Sequence, residues 1–190
     1  LVRILLRAGN KRNLPLAGIL ILLSVANLVF HLSVMGWLAL PPSSALYAAL
    51  GLIVMVECVM AGRVIPAFTM SVTPGLKIAG PPWLERGALA TTFVALALWV
   101  FAPGGWITFA ALAAAAVLQG ARMLHWHSMV SRKKPILWIL HAAYAWIPLG
   151  LALLALAQPG WVLVSVGVHA LAVGATGGLI IGMLTRTARG

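Results

Sequence analysis

Apolar residues fill six long windows of the sequence, and charged residues stand almost entirely between them. The windows cover approximately residues 14–38, 45–65, 86–102, 106–124, 136–157 and 161–184. Each is close to the roughly 20 residues that a helix needs to cross a hydrocarbon core about 30 Å thick. The third is the shortest, because Glu85 and Arg86 mark its start and Pro103 follows its end. The runs are continuous rather than alternating, which excludes a membrane β-barrel and predicts an all-α polytopic bundle of six transmembrane helices.

The composition and charge agree with a membrane protein. Of the 190 residues, 63% are hydrophobic and 8% are charged, whereas a soluble domain has about 25% charged residues. The end of the fourth window and the connection after it hold a cationic group of Arg122, Arg132, Lys133 and Lys134, which we assign together to the connecting loop. Further Lys and Arg lie in the N-terminal arm, after the second window and in the tail, but residues 39–44, 103–105 and 158–160 carry no charge. We therefore attribute the net charge of +11 to membrane topology and predict no nucleic-acid binding.

The distribution of positive charge also predicts the topology. Because Lys and Arg accumulate on the cytoplasmic side of membrane proteins, we expect both termini in the cytoplasm. The predicted organisation is a basic cytoplasmic arm at 1–13, a six-helix transmembrane domain at 14–184 and a cytoplasmic tail at 185–190. The single cysteine, Cys58, excludes an internal disulfide.

Two histidines lie on polar stripes of the predicted helices. A charge at mid-depth costs on the order of 2.5–3.5 kcal/mol, so an ionisable side chain in a window is a functional candidate. His31 shares a stripe with Ser24 and Asn27, which we expect to face protein rather than lipid. His141 has Tyr144 and Pro148 on its face of the fifth helix. There the proline is expected to leave a backbone carbonyl unpaired and to kink the helix.

A third histidine, His169, lies in the sixth window, on the side of the helix opposite a series of glycines at Gly174, Gly178 and Gly182. Small residues at four-residue spacing let another helix, or a flat cofactor, approach the backbone. Close helix packing is the more usual function of such a stripe.

Depth in the membrane relates the three histidines. At about 1.5 Å per residue, the rings of His31 and His169 lie roughly 10–12 Å below the outer boundary, while His141 lies in the inner half. Two neutral imidazoles at matched depth on different helices meet the requirement of bis-histidine haem ligation. Alternatively, each histidine hydrogen-bonds across a helix interface. The sequence leaves both interpretations open.

A second cluster lies in the run RMLHWHSMVSRKK at the end of the fourth window. In an extended segment, Met123, His125, His127 and Met129 would place four copper-type ligands on one side; a helix would split them into two pairs. The same run fits an interfacial anchor formed by Trp126 and the basic residues. Both interpretations stay open.

The second window contains Glu57 and ends in GRVIPAFT. We expect Glu57 to be protonated and hydrogen-bonded, to pair with a basic residue of another helix, or to pass protons. Gly62 is expected to loosen the helix and Pro66 to stop it. Arg63 would reach the interface, where its guanidinium could bind a haem propionate or a lipid phosphate.

Four segments resemble, in order, the C-terminal half of the NnrS family, which are bacterial haem- and copper-containing membrane proteins. They are ANLVFHL around His31, GRVIPAFT, PILWILHAAYAWIPLGLALLALA from Pro135, and the terminal VHALAVGATGGLIIGMLTRTARG. The resemblance implies a multi-pass protein of the bacterial cytoplasmic (inner) membrane, with a role in nitric oxide metabolism or in relief from nitrosative stress beside denitrification. It implies haem, expected to be b-type, and copper as cofactors, with His31, His141 and His169 as metal ligands. It names no reaction, so enzyme activity and catalytic residues stay open.

Two hypotheses follow. The first is an NnrS-like haem protein with His31 and His169 as haem ligands and His141 as an alternative or copper ligand; since family members have roughly twice as many spans, other subunits or a second copy would complete the site. The second is a cofactor-free accessory subunit that packs on a larger complex through the glycine face of the sixth helix. A transporter ranks last, because it predicts paired broken helices in two repeats.

Overall fold

The computed structural model describes Arg7, Gly9 and residues 13–188. This part of the chain forms six helices long and apolar enough to span a membrane, and no strand. They are α1 (Leu14–Val34), α2 (Pro42–Ser71), α3 (Pro82–Phe101), α4 (Trp106–Leu124), α5 (Pro135–Ala157) and α6 (Val164–Ala188). The predicted all-α fold with six spanning helices is therefore confirmed. Most of the basic arm and residues 189–190 of the tail lie outside the described residues, and the side of the membrane on which the termini lie stays a prediction.

The helices belong to two compact units, Leu1–Val56 and Glu57–Gly190, so α2 begins in the first and ends in the second. In the first unit, α1 has only 17% of its most apolar window buried, so most of its side chains are left for lipid. In the second unit, α3, α4, α5 and α6 pack in chain order, each against the next. Half of the most apolar window of α5 is buried, which makes α5 the central helix of this unit.

Helix α2 does not stop at Pro66, as the sequence predicted, but continues to Ser71. An interrupted helix in lipid would leave backbone groups without water, so transmembrane helices tolerate proline where neighbouring groups satisfy the freed carbonyls. In the part of α2 beyond Pro66, the Thr69 hydroxyl donates to the Ile65 carbonyl at 2.9 Å. The extension places Thr69 within the membrane helix rather than in a connection.

Helix α3 begins earlier than predicted, at Pro82. Proline suits the first turn of a helix because its missing N–H would have no partner there. Glu85 also lies in this first turn, where the positive end of the helix dipole favours a carboxylate. Glu85 is thus a second acid within a spanning helix, besides Glu57.

Helix α6 changes its hydrogen-bonding pattern along its length. Val164–His169 and Gly178–Ala188 are α-helical, whereas Ala170–Gly177 between them is a π-helix. The Thr176 hydroxyl accordingly donates to the carbonyl of Leu171, five residues earlier, at 3.2 Å. π-helices are rare and occur frequently at functional sites. This one begins directly after His169.

The glycine stripe of α6 packs against α5. Cβ atoms built at Gly174, Gly178 and Gly182 would come within 2.6, 2.9 and 2.8 Å of α5 side chains. These glycines therefore let the two helices approach each other, which confirms the predicted use of the stripe in helix packing. Because α5 of the same chain already occupies this face, it is not free to hold a neighbouring subunit, as the accessory-subunit hypothesis expected.

Substitution of Gly178 tests this packing against its neighbour in sequence. In Gly178→Ala the new Cβ would lie 2.9 Å from the Cβ of Ala143, and neither atom can rotate away. In Gly177→Ala the nearest atom is the Ala172 carbonyl oxygen at 4.0 Å. Both changes gain similar helix propensity, but overpacking costs about 1–3 kcal/mol. We expect Gly178→Ala to be less stable than Gly177→Ala by about that amount, measured as the free energy of unfolding in detergent; equal stabilities would contradict the close contact.

Candidate functional site

His169 is an exposed side chain at the end of the first α-helical part of α6. Its Nδ1 lies 2.7 Å from the carbonyl oxygen of Ser165, one turn earlier. A carbonyl only accepts, so Nδ1 carries the proton and Nε2 carries the lone pair of the neutral ring. A backbone acceptor for one ring nitrogen is the arrangement that orients metal-ligating histidines. His169 therefore presents a ligating nitrogen on the surface of the helix.

His141, in contrast, is buried, with 3% of its surface exposed. Its Nε2 lies 3.1 Å from the Thr69 hydroxyl, and that hydroxyl gives its single proton to the Ile65 carbonyl. Nε2 must then donate to Thr69, which leaves the lone pair on Nδ1. Nδ1 is buried and has no hydrogen-bond partner. The expected hydrogen bond across a helix interface thus exists at one ring nitrogen, and the other is orphaned.

His31 lies in the first unit, where its ring contacts Phe30 edge-on at 5.4 Å between centroids. His31, Ser24 and Asn27 are all exposed. We expected this stripe to face protein, but no part of the described chain covers it. A polar stripe on the outside of a membrane helix is costly, so a further group that covers it would stabilise it.

The run after α4 adopts neither conformation considered for copper. Helix α4 ends at Leu124, His125 caps it, and His127 has a left-handed backbone with φ of 53°. Both histidines are exposed. The described residues contain no group of three His, Cys, Asp or Glu side chains that could hold a metal ion. Trp126 is 1% exposed, so it packs inside the protein and is not an interfacial anchor.

A buried polar network that the sequence analysis missed joins four helices around Arg122. This guanidinium is 2% exposed and forms an ion pair with Glu85 of α3, with Nη2 and Nε at 2.6 and 2.7 Å from Oε2. Nη1 donates to the Cys58 carbonyl of α2 at 2.8 Å and to the Tyr144 hydroxyl of α5 at 3.1 Å. The cation on α4 is thereby bonded to each neighbouring helix.

The network continues from Tyr144 to Gln119, one turn before Arg122 on α4. The Tyr144 hydroxyl donates to Gln119 Oε1 at 2.5 Å. Gln119 Nε2 donates to the Thr92 hydroxyl at 2.8 Å and lies 3.4 Å from the Cys58 sulfur. Buried polar groups need partners of this kind, because an unpaired one costs the full desolvation penalty. The network is satisfied throughout and fixes the packing of α2 to α5.

Two residues shape the space for the guanidinium. A Cβ at Gly62 would overlap the Arg122 side chain, so this glycine makes room for the cation rather than loosening α2. On another side, the Trp126 ring lies 5.2 Å from the guanidinium carbon and 4.6 Å from the Tyr144 ring. Charge counting placed Arg122 among the loop cations. Two features of the sequence could have indicated that Arg122 is buried. Gln119 stands three residues before it on the same helix, and Glu85 is an acid at the end of the facing helix.

Glu57, the acid near the middle of α2, is half-buried. Its Oε2 atom is buried without a hydrogen-bond partner. Arg63, the proposed anion-binding residue, is half-buried on the same helix.

A protein-family model described as NnrS protein matches residues 1–190, the whole of the sequence. No curated protein and no solved structure matches the chain.

Proposed function

Because the chain belongs to the NnrS family, we propose that this multi-pass membrane protein binds haem and acts in nitric oxide metabolism or in relief from nitrosative stress. Its location would be the bacterial cytoplasmic membrane. His31 and His169 are the proposed haem ligands, and His141 is the proposed ligand of a copper ion. The observation that supports this best is the exposed Nε2 lone pair of His169, set by the Nδ1 bond to Ser165.

The two exposed histidines suit a ligand as large as a porphyrin. Haem ligation requires a neutral imidazole nitrogen that a flat macrocycle can reach. His31 and His169 are both exposed, whereas 97% of His141 is covered by protein. A bound haem, or a neighbouring subunit, would also cover the exposed polar stripe of α1. The chain's one cysteine cannot supply a CxxCH attachment, so the haem would not be of the c type, and a b-type haem is proposed.

His141 fits a single metal ion better than a haem. Its orphaned Nδ1 supplies one buried lone pair, and imidazole is a suitable ligand for copper. Since no group of three ligating side chains occurs in the described chain, further ligands would come from elsewhere, for instance another subunit. Thr69 would orient the ring through Nε2, and Arg63 is the proposed partner of a haem propionate.

A bound haem would supply an iron that can bind nitric oxide or transfer electrons. In this proposal His169 would hold the haem through Nε2, because its Nδ1 bond to Ser165 orients the ring. The close packing of α6 on α5 would keep His169 in place. The accessory-subunit hypothesis loses support, because its docking face is already occupied within the chain.

Haem and copper content test this proposal. We expect the protein purified from bacteria supplied with haem and copper to contain both, by pigment extraction and metal analysis. His141→Ala should lose copper and keep haem, because its buried ring is accessible only to a small ion. His127→Ala, which removes an exposed histidine of the turn after α4, is the matched control and should keep both. Absence of haem from the wild type would refute the proposal, and copper that survives in His141→Ala would refute the copper assignment.

A further inference from the structure

Arg186, in the last turn of α6, is a cation that no acidic side chain of the protein balances. Its guanidinium carbon lies 5.0 Å from the centre of the Phe68 ring of α2, and its Nε is buried without a hydrogen-bond partner. The chain contains only two acidic side chains. Glu85 forms an ion pair with Arg122, and Glu57 precedes Phe68 on α2 by about three turns, or roughly 16 Å. The counter-charge of Arg186 therefore has to come from another molecule.

Lys134 is a second cation at the same end of the helices. It directly precedes α5, and its Nζ donates to the Val72 carbonyl at 3.1 Å, just after the end of α2. An ammonium group has three N–H donors, so two remain for another acceptor. Gly182 of α6 faces Leu140 of α5, and helices joined by a short connection run antiparallel. Arg186, one turn after Gly182, therefore lies level with the start of α5, beside Lys134.

Both cations contact the end of α2. Arg186 lies over the ring of Phe68, and Lys134 bonds to the carbonyl of Val72, four residues later. Four residues correspond to about 6 Å along a helix axis, and residues at this spacing lie on one side of the helix. A phosphate group has several acceptor oxygens and forms strong charge-assisted hydrogen bonds with Arg and Lys. One phosphate can therefore accept from both side chains.

We infer that Arg186 and Lys134 bind the phosphate group of an anionic phospholipid, at the end of the molecule where α2 and α6 end and α5 begins. Each lies within one turn of the end of a spanning helix, which is the level of the lipid headgroups. Trp138, one turn after Lys134 on α5, is 43% exposed, and indole rings at this depth contact the boundary between headgroups and acyl chains. Basic sites between helices at this level suit lipid phosphates. The site does not include the histidines proposed to bind haem and copper.

Lipid binding to the purified protein in detergent tests this site. Phosphatidylglycerol is the probe, and native mass spectrometry measures how much of it stays bound to each chain. Because hydrogen bonds to charged groups are strong, we expect Arg186→Gln and Lys134→Gln each to weaken the affinity by about 10–100-fold. Lys133→Gln is the matched control, since Lys133 is an exposed cation beside Lys134 and its replacement removes the same charge. Diffuse attraction to the surface would change its affinity by at most about fivefold.

Two other probes identify the source of the phosphate. Inorganic phosphate has the same oxygens without acyl chains, and phosphatidylcholine has acyl chains but no net charge. We expect each to bind the wild type at least about tenfold more weakly than phosphatidylglycerol. Lys134 is exposed, so Lys134→Gln keeps the test open even if Arg186→Gln fails to fold. Equal affinities of Lys134→Gln and Lys133→Gln for phosphatidylglycerol, or binding of either other probe as tightly as phosphatidylglycerol, would overturn the inference.

Discussion

Replacement of Arg122 by leucine is expected to lower the free energy of unfolding by about 3–5 kcal/mol, because it removes one partner of a buried ion pair. The guanidinium is 2% exposed, and it also holds the Tyr144 hydroxyl and the Cys58 carbonyl. Leucine would leave all three acceptors without this donor. Glu85 is 34% exposed, so partial solvation of its carboxylate moves the expected loss toward the lower end of that range.

The measurement is the unfolding of each variant in mixed micelles of detergent and a denaturing surfactant. Arg132→Leu is the matched control, because Arg132 is an exposed cation of the connection after α4. It should change stability by less than about 0.5 kcal/mol. Glu85→Gln keeps a hydrogen-bond acceptor but loses the charge, so an intermediate effect is expected. If Arg122→Leu unfolds like Arg132→Leu, the network does not hold these helices together.

Replacement of His169 by alanine is expected to abolish stable haem binding. Removal of a residue that merely orients a metal ligand weakens metal binding by about 10–100-fold, and loss of the ligand itself should exceed this. The protein should remain folded, because the exposed ring bonds only to Ser165 on its own helix. Haem content per chain, with the elution volume in size-exclusion chromatography as a check on folding, measures the effect.

His125→Ala provides a closely matched control for His169→Ala. His125 is also exposed, and its Nδ1 lies 2.8 Å from the carbonyl of Ala121, four residues earlier. The two histidines therefore have the same tautomer and the same local geometry, but His125 stands at the end of α4 rather than within a spanning helix. His125→Ala should keep its haem, and a bacterium that relies on this protein should tolerate nitric oxide with that variant but not with His169→Ala. Equal haem content in both variants would exclude His169 as a ligand.

The helices could be predicted from the sequence because each span must bury a long apolar surface in lipid. Hydropathy alone therefore identifies the six helices, and the predicted bounds are wrong only at the helix ends. The rules for water-exposed helices predict a helix stop at Pro66, but in lipid the helix continues to Ser71, which keeps its backbone groups hydrogen-bonded. The glycine stripe was also interpretable, because small residues at four-residue spacing have one main use in membranes.

The buried network was not predictable by the same means. Counting charges assigned Arg122 to a loop, whereas its position is decided by Glu85, Gly62 and Tyr144, which come from three other helices. Likewise, no local pattern signals the π-helix after His169. Both features depend on which side chains meet across helices, and a single sequence does not contain that information directly.

The proposed binding of haem by this chain in the membrane is measured most directly by a reduced-minus-oxidised absorption spectrum of the purified protein. We expect the difference bands of a b-type haem in the wild type and in His125→Ala, and their loss in His169→Ala. A protein that is folded and fully supplied with haem during expression, yet shows no haem bands, would contradict it.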